Sequence, residues 1–325
     1  MTIADIATMA GVSKAAVSRY FNNGYISDEK REAIRKVVEE TGYQPSVYAQ
    51  NLRTKKTKMV GVIVPKMVSS ALGRVVEGIQ EVLDEAGYQM LLTVTHNDLE
   101  RELTYLQNFD ETKVDGVILC GTIFTAEHKR IIRSMSIPLV VIGQKFSGLS
   151  CVYHDDYHMT YDMTKRIIEK GAKAPVYMGV NPQDQAVGMD RYRGFCDAVR
   201  EAGLEECVNR HVVAHFRISS GYEKAAELME LYPDLDAIVC ATDELAAGSL
   251  RYLQDQNIEV PGQVMLSGHG DSSLIKIAGH SIMTGHFAYE ESGKLGAEIL
   301  VEEMSNPDAL HREVMLGYAV VEQSF

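Results

Sequence analysis

Lys14, Ala15, Ser18, Arg19 and Asn22 share one side of a short stretch with helical spacing, KAAVSRYFN, whose other side carries Val17 and Phe21. An ammonium, a guanidinium, a hydroxyl and an amide projecting from one helix face can hydrogen-bond phosphates and the edges of bases, which is the chemistry of reading a duplex. A second set of polar residues lies further along, each just after an apolar run: Ser69 and Ser70, Thr122, Asp155 and Asp156, Thr242 and Asp243, and Asp271. Arg191 adds a guanidinium ahead of Gly194-Phe195. Carboxylates with an arginine and an aromatic platform suit a polyhydroxylated small molecule, whose hydroxyls donate to Asp and accept from Arg while its apolar face stacks. Taken singly, each of these aspartates also fits the N-cap of a helix. His154 beside Asp155 and Asp156 raises the option of a metal or acid–base site, and the plainer reading is a cleft or packing residue.

The first set needs a frame, and the residues around it supply one. Ile3, Ile6, Ala7 and Ala10 recur at i, i+3, i+4 and i+7, behind Thr2 with Asp5 three residues on, so a first helix with one apolar stripe is expected. Gly11 makes a turn, and Ser13 caps a second helix. Ser27 is expected to cap a third, with Ile34, Val37, Val38 and Thr41 inward and Gly42 ending it. This is a helix-turn-helix with a supporting helix, and the outer face of its second helix is the recognition surface. An αα-hairpin in a core would share the periodicity, but not the charge. Residues 1–59 hold ten Lys and Arg against six Asp and Glu, a net of +4, whereas the rest holds 22 against 39, a net of −17. Phosphate neutralisation favours DNA binding through the basic head and keeps the acidic body off the duplex.

Tyr43-Gln44-Pro45 closes the head at residue 45, since the residue before proline disfavours helix. Residues 46–59 read as a hinge helix or linker, SVYAQNLRT followed by Lys55, Lys56 and Lys58, too short to be stable as a free helix. Leu52 is either an apolar wedge for the minor groove or an incidental leucine, and Lys55 a phosphate contact. From residue 60 the pattern changes to apolar runs alternating with helical stretches. VGVIVP (60–65), YQMLLTV (88–94), GVILCG (116–121) and LVVIG (139–143) form one series, with helices from Leu72 to Gly87 and Leu99 to Thr112 between them. PVYMGV (175–180), DAIVCAT (236–242), VMLSGHGD (264–271) and SIMTGHF (281–287) form another. Fully apolar strands alternating with helices predict an α/β fold with two parallel, doubly wound sheets, and hence a two-lobed body over 60–325. The first lobe is expected over about 60–157 and 287–303, the second over about 158–286 and 304–325, with ligands in the cleft beyond the strand ends.

The 325 residues are ample for several domains. No run of about eighteen apolar residues and no basic-then-apolar leader are present, so a cytoplasmic chain without membrane attachment is expected. Cys120, Cys151, Cys196, Cys207 and Cys240 are scattered, without Cys-x-x-Cys or interleaved histidine spacing, and read as reduced, buried thiols. An enzyme is not expected, since there is no Gly-x-Ser-x-Gly elbow, no Walker loop, no His-Glu-x-x-His and no complete Gly-x-Gly-x-x-Gly. No cofactor and no metal are expected. A sugar-binding receptor without DNA activity is the alternative, but it needs an export signal and no basic head.

TIADIATMAGVSKAAVSRYFNN, then TGYQPSVYAQNLRT, then the two-lobed body, resembles the lactose-repressor (LacI/GalR) family of bacterial transcription regulators over essentially the whole chain. The resemblance implies a helix-turn-helix head on a body similar to periplasmic binding proteins, and a homodimer, or a tetramer, on pseudo-palindromic operator DNA. It implies a repressor of carbohydrate-utilisation genes, associated with the nucleoid when bound and controlled by a sugar or sugar phosphate. Lys14, Ala15 and Arg19 then occupy base-reading positions, Leu52 the wedging position, Arg191 the arginine of the R-x-x-G-[FW] element, Phe216 the aromatic that stacks on ligand, and Thr242-Asp243 the strand-end pair. Ser46, Ala16 and Gly270 depart from the family's usual residues, and the chain has no tryptophan.

Overall fold

The computed structural model describes residues 1–22, 24–43, 56–67, 69–112, 114–278 and 282–322. The expected hinge, with Leu52 and Lys55, therefore lies mostly outside the described residues. The chain divides into two compact units, 1–58 and 59–325.

The first unit holds α1 (Ile3–Met9), α2 (Lys14–Phe21) and α3 (Asp28–Thr41). Thr2 and Asp5 close a capping box, and Ser13 Oγ accepts from the Ala16 amide at 3.2 Å. Ser27 stands at the N-cap of α3 but makes no side-chain cap bond, contrary to expectation. Its backbone dihedrals are those of a cap. Gly11 and Gly42 have φ of +64° and +63°, which glycine adopts without a Cβ penalty. Ile6, Ala7, Ala16, Val17, Ile26, Ile34 and Val37 make the core.

The second unit contains two six-stranded sheets. The first has β1 (Met59–Val64), β2 (Gln89–Val94), β3 (Gly116–Leu119), β4 (Leu139–Ile142), β5 (Ser150–His154) and β11 (Glu313–Leu316), in the order β11-β5-β4-β3-β1-β2, all parallel. Alternation along β1 shows why both faces are covered. Val60, Val62 and Val64 pack with Val75, Ile79 and Leu300, from α4 (Ser70–Glu85) and α12 (Tyr289–Ser305), while Ile63 packs with Leu106 and Ile131 from α5 (Leu99–Thr112) and α6 (Ala126–Ser134). Helices α4 and α12 meet at backbone contact. A Cβ on Gly78 would lie 2.1 Å from the Glu290 carbonyl oxygen, and one on Gly293 would lie 2.1 Å from that of Val75.

The second sheet has β6 (Pro175–Gly179), β7 (His211–Val213), β8 (Ala237–Cys240), β9 (Met265–His269), β10 (Met283–Phe287) and β12 (Tyr318–Glu322), in the order β12-β10-β9-β8-β6-β7. Only β12 runs antiparallel to its neighbour. Its helices are α7 (Asp156–Glu169), α8 (Arg191–Glu201), α9 (Ile218–Leu231), α10 (Asp243–Asp255) and the short α11 (Ser273–Ile277), around one core with Phe195 and Tyr177 at its centre.

One expected boundary needs correction. Residues 313–316, placed in the second lobe by the sequence reading, pair in parallel with β5 of the first, Glu313 opposite Cys151 and Leu316 opposite His154. Val314 and Leu316 drive this by packing onto the first lobe's core. Only 318–322 belongs to the second sheet. The five cysteines are free and buried.

Candidate functional site

In the first unit, α2 turns Lys14, Ala15, Arg19 and Asn22 outward, all exposed, with Ser18 half-buried. These five residues line one shallow surface with Ile3 and Gly24. Val17 on the opposite side is fully buried and fixes the rotation of the helix. Ser13 sits at the N-cap, its hydroxyl committed to the helix. Asn22 donates from Nδ2 to the Ser18 carbonyl at 2.6 Å, which leaves its Oδ1 as the outward group.

In the second unit, the cleft between the sheets encloses a cavity of about 150 Å³. Helix N-termini deliver much of its polar lining, because parallel strands lead into helices there. Ser69 caps α4, Thr242 caps α10, and Asp184 caps a π-helical turn over Gln185–Asp190 by accepting from the Val187 amide at 3.0 Å. Arg191 follows that turn and donates from Nε to Asp156 Oδ1 at 2.6 Å, both side chains buried. Its Nη1 also donates to the Ala241 carbonyl, and its guanidinium lies 5.3 Å from the Phe287 ring centre. Burial opposes the charge on Arg191, but Asp156 and Tyr289 overcome it and hold the guanidinium protonated.

Among the described residues, side chains of the two lobes meet across this cleft at several points. The Lys66 ammonium stands 4.2 Å from the centre of the Phe216 ring, within cation–π range. Gln144 Nε2 donates to Asp184 Oδ1 at 3.1 Å, and Arg74 donates to the Gly270 carbonyl. Burial pulls the Lys66 ammonium below its usual range, opposed by Glu244 and Asp184. Burial pushes the Asp184 carboxyl up to about 6. His269 is held neutral by burial and by Arg191, with Nδ1 donating to the Cys240 carbonyl at 2.9 Å and Nε2 at 2.9 Å from the Thr160 hydroxyl.

Ser69, Thr122, Asp156, Arg191, Phe216 and Thr242, all named from sequence, line the cavity. Ser70, Asp155, Asp243 and Asp271 do not. Ser70 is the first residue inside α4, one position beyond the cap. Asp155 caps α7 and pairs with His158, and it borders a neighbouring surface pocket. Asp271 pairs with Lys276 and His286. Asp243, only 1% exposed, accepts from the Thr284 hydroxyl at 2.7 Å and the Ser272 amide at 2.8 Å, so its carboxylate stitches the second lobe. Asp243→Asn should therefore cost about 1–3 kcal/mol in urea unfolding, because one amide hydrogen would face a donor. An unchanged unfolding midpoint would return Asp243 to the cleft.

Sequence reasoning missed Lys66, Gln144, Asp184 and Glu244 as lining residues. Lys66 follows Pro65 at the end of the first run and was legible by the strand-end rule applied to the other residues. Asp184 lies in a π-helical turn that no apolar periodicity marks. His154 lines the cleft among the rings of Phe287 and Tyr289, at centroid distances of 4.9 and 5.1 Å. Among the described residues, no three His, Cys, Asp or Glu side chains gather as a metal site.

A helix-turn-helix with a polar outer face, carried with a two-lobed parallel-sheet body that holds a small-molecule cleft, defines the class of ligand-sensing DNA-binding regulators. The chain belongs to the LacI family: residues 2–46 match the model of bacterial regulatory proteins of the lacI family, and residues 57–300 that of periplasmic binding proteins and the sugar-binding domain of the LacI family. It is a DNA-binding transcriptional regulator, and the receptor without a DNA-binding head is not favoured. The sucrose operon repressor of Staphylococcus xylosus is 30% identical over 99% of this chain and 98% of its own length. The regulator TreR of Salmonella typhimurium is 29% identical over 94% of both chains. Among solved structures, a LacI-family regulator from Silicibacter pomeroyi superposes with a TM-score of 0.82 at 26% identity, over 100% of this chain and 99% of that one. The lac repressor dimer bound to operator and the anti-inducer ONPF gives 0.90 at 17% identity, over 99% and 98%, and shares the fold. Among the described residues, no helix is long and apolar enough to cross a membrane.

Proposed function

We propose that this regulator is a cytoplasmic repressor of carbohydrate-utilisation genes whose dimer reads two operator half-sites and whose cleft takes a sugar or sugar phosphate. The observation that carries the reading is the buried Asp156–Arg191 pair in a cavity that Phe216 also lines. Paired charges of opposite sign fix the orientation of hydroxyls, and the ring supplies the apolar face. The sugar-related names of the S. xylosus repressor and of a CelR–cellobiose complex support the same class. A regulatory role leaves the polar groups of the cleft to binding rather than to turnover. A ligand that fits one lobe separation better than another shifts the balance between them, and this difference in affinity is the regulatory signal.

On the head, Lys14, Ala15 and Arg19 face bases, with Ser18 and Asn22 beside them and Ser13 at the helix start. Leu52 and Lys55, outside the described residues, are assigned to the minor-groove wedge and a phosphate contact. Arg19→Ala should lower discrimination between operator and scrambled DNA by about 1–3 kcal/mol, the value of a bidentate base contact. Competition binding at fixed salt measures this, and an unaltered preference would place base reading elsewhere. For the cleft, a thermal-shift screen of the full chain with fructose, glucose, sucrose, trehalose and their 6-phosphates is the test. A specific ligand raises the melting temperature in a concentration-dependent way. No shift with any of them would remove the sugar assignment.

A further inference from the structure

We infer that a groove beside the cleft, where α6 and the loop after β4 face residues 183–185 of the second lobe, binds a small phosphate-bearing metabolite. The groove has a volume of about 290 Å³. Lys129, Arg133 and Lys145 line it from the first lobe, and Gln183 and Gln185 from the second. Gln144 lines both the groove and the cleft. No carboxylate lines the groove, although residues 60–325 hold 39 Asp and Glu against 22 Lys and Arg. The cleft differs in this respect, because Asp156, Asp184 and Glu244 line it alongside Lys66 and Arg191. In a body of strongly negative charge, three cations gathered without an acid make a local field that attracts anions.

Lys129 and Arg133 stand one turn apart on the same side of α6, and like charges at that spacing repel. Among the described residues neither pairs with a carboxylate, whereas Arg130, which does not line the groove, pairs with Glu127 at 2.5 Å. The C-terminus of α6 favours a cation at Arg133, but it does not account for Lys129 or Lys145. Lys145 meets Glu313 at the surface, at 2.5 Å, so an incoming anion shares it with that carboxylate. Phe124 and Phe146 also line the groove and meet edge to face, 4.8 Å between centroids. Phe146 is buried, which anchors this wall in the core. Gln183 Oε1 accepts from Asn181 Nδ2 at 3.5 Å, so its Nε2 hydrogens are left to donate. A phosphate group offers three acceptor oxygens and more than one negative charge, enough to engage a guanidinium, an ammonium and an amide together.

The test is calorimetric titration of the full-length protein with inorganic pyrophosphate at fixed ionic strength. Binding should weaken about fivefold in Lys129→Gln and in Arg133→Gln, and about twentyfold or more in the double variant, since each substitution removes one charge-assisted donor. Arg130→Gln, which removes an equal charge from the same helix outside the groove, should bind as the wild type does. The basic head is the same in all of these proteins, so its own attraction for anions cancels in the comparison. Circular dichroism verifies that the variants fold, and the two single variants carry the test if the double one does not. No binding by the wild type, or equal affinity in the wild type and the groove variants, would overturn the inference. An equal loss in Arg130→Gln would overturn it too, as the mark of a general charge effect. Citrate, which carries carboxylates in place of phosphates, should bind more weakly than pyrophosphate, and tighter binding of citrate would overturn the assignment to phosphate.

Discussion

Asp156→Ala should lower the unfolding free energy of the body by about 3–5 kcal/mol, the cost of leaving a buried charge without its partner. Arg191 is 4% exposed and Asp156 6%, so neither can recover water when the other is removed. The Ala241 carbonyl still accepts from Arg191 but carries no full charge. Asp156→Asn should fall between the wild type and the alanine variant, because the amide oxygen can accept from Nε while the charge is lost. The double variant Asp156→Leu with Arg191→Met should be more stable than either single replacement by alanine, since neither buried charge then remains. Urea unfolding followed by circular dichroism measures all four. A loss under about 1 kcal/mol for Asp156→Ala, the scale of an exposed ion pair, would mean that water reaches the guanidinium and that the pair is not buried in solution. The arginine holds the second lobe together as well as lining the site.

Asp184→Asn should stabilise the protein at pH 8 and lose that advantage as pH falls from about 6 towards 4. Burial raises the folded-state carboxyl to about 6, above the unfolded value near 4. A raised carboxyl binds its proton more tightly when folded, so folding is penalised above the folded value and the penalty is gone below the unfolded one. Two units correspond to about 3 kcal/mol at full expression. Asparagine is neutral throughout and keeps an oxygen for the Val187 amide and for Gln144 Nε2, the two groups that donate to Asp184 Oδ1. Because Gln144 belongs to the first lobe and Asp184 to the second, the same charge also acts on the contact between them. Denaturation of wild type and variant in parallel from pH 4 to pH 8 isolates this one group. A difference that does not vary with pH would show that Asp184 titrates as an exposed carboxyl does.

The architecture was legible because its buried strands are nearly unbroken apolar runs. GVILCG and LVVIG each contain an observed strand of the first sheet, and VGVIVP covers all but the first residue of another. Ser150–His154, an interior strand, was legible only through the end that precedes Asp155, and the strands that escaped altogether, His211–Val213, Glu313–Leu316 and Tyr318–Glu322, are short edge strands with alternating or partial exposure, and so lack that signature. The strand-end rule found four lining residues, Ser69, Thr122, Asp156 and Thr242, because helix N-termini converge on the cleft. It failed at Asp243, one residue past the cap Thr242, since the first turn of α10 rotates that carboxylate towards Thr284 and Ser272. Spacing along the chain shows which residues reach a strand end. It does not show which way a helix has turned by the next residue.

Strands β11 and β12, separated only by Gly317, each supply an edge to a different sheet, and α12, which covers one face of the first sheet, directly precedes them. The consequence is one of timing during synthesis. The three-helix head draws its core from residues 3–43 and can assemble as soon as they leave the ribosome. The first lobe, although most of its strands are made early, waits with one face and one edge open until residues 289–316 arrive, by which time nearly all of the second has been translated. Both lobes therefore mature together once residues 289–322 have been translated, and a ribosome that stalls near residue 288 leaves two unfinished sheets rather than one finished lobe.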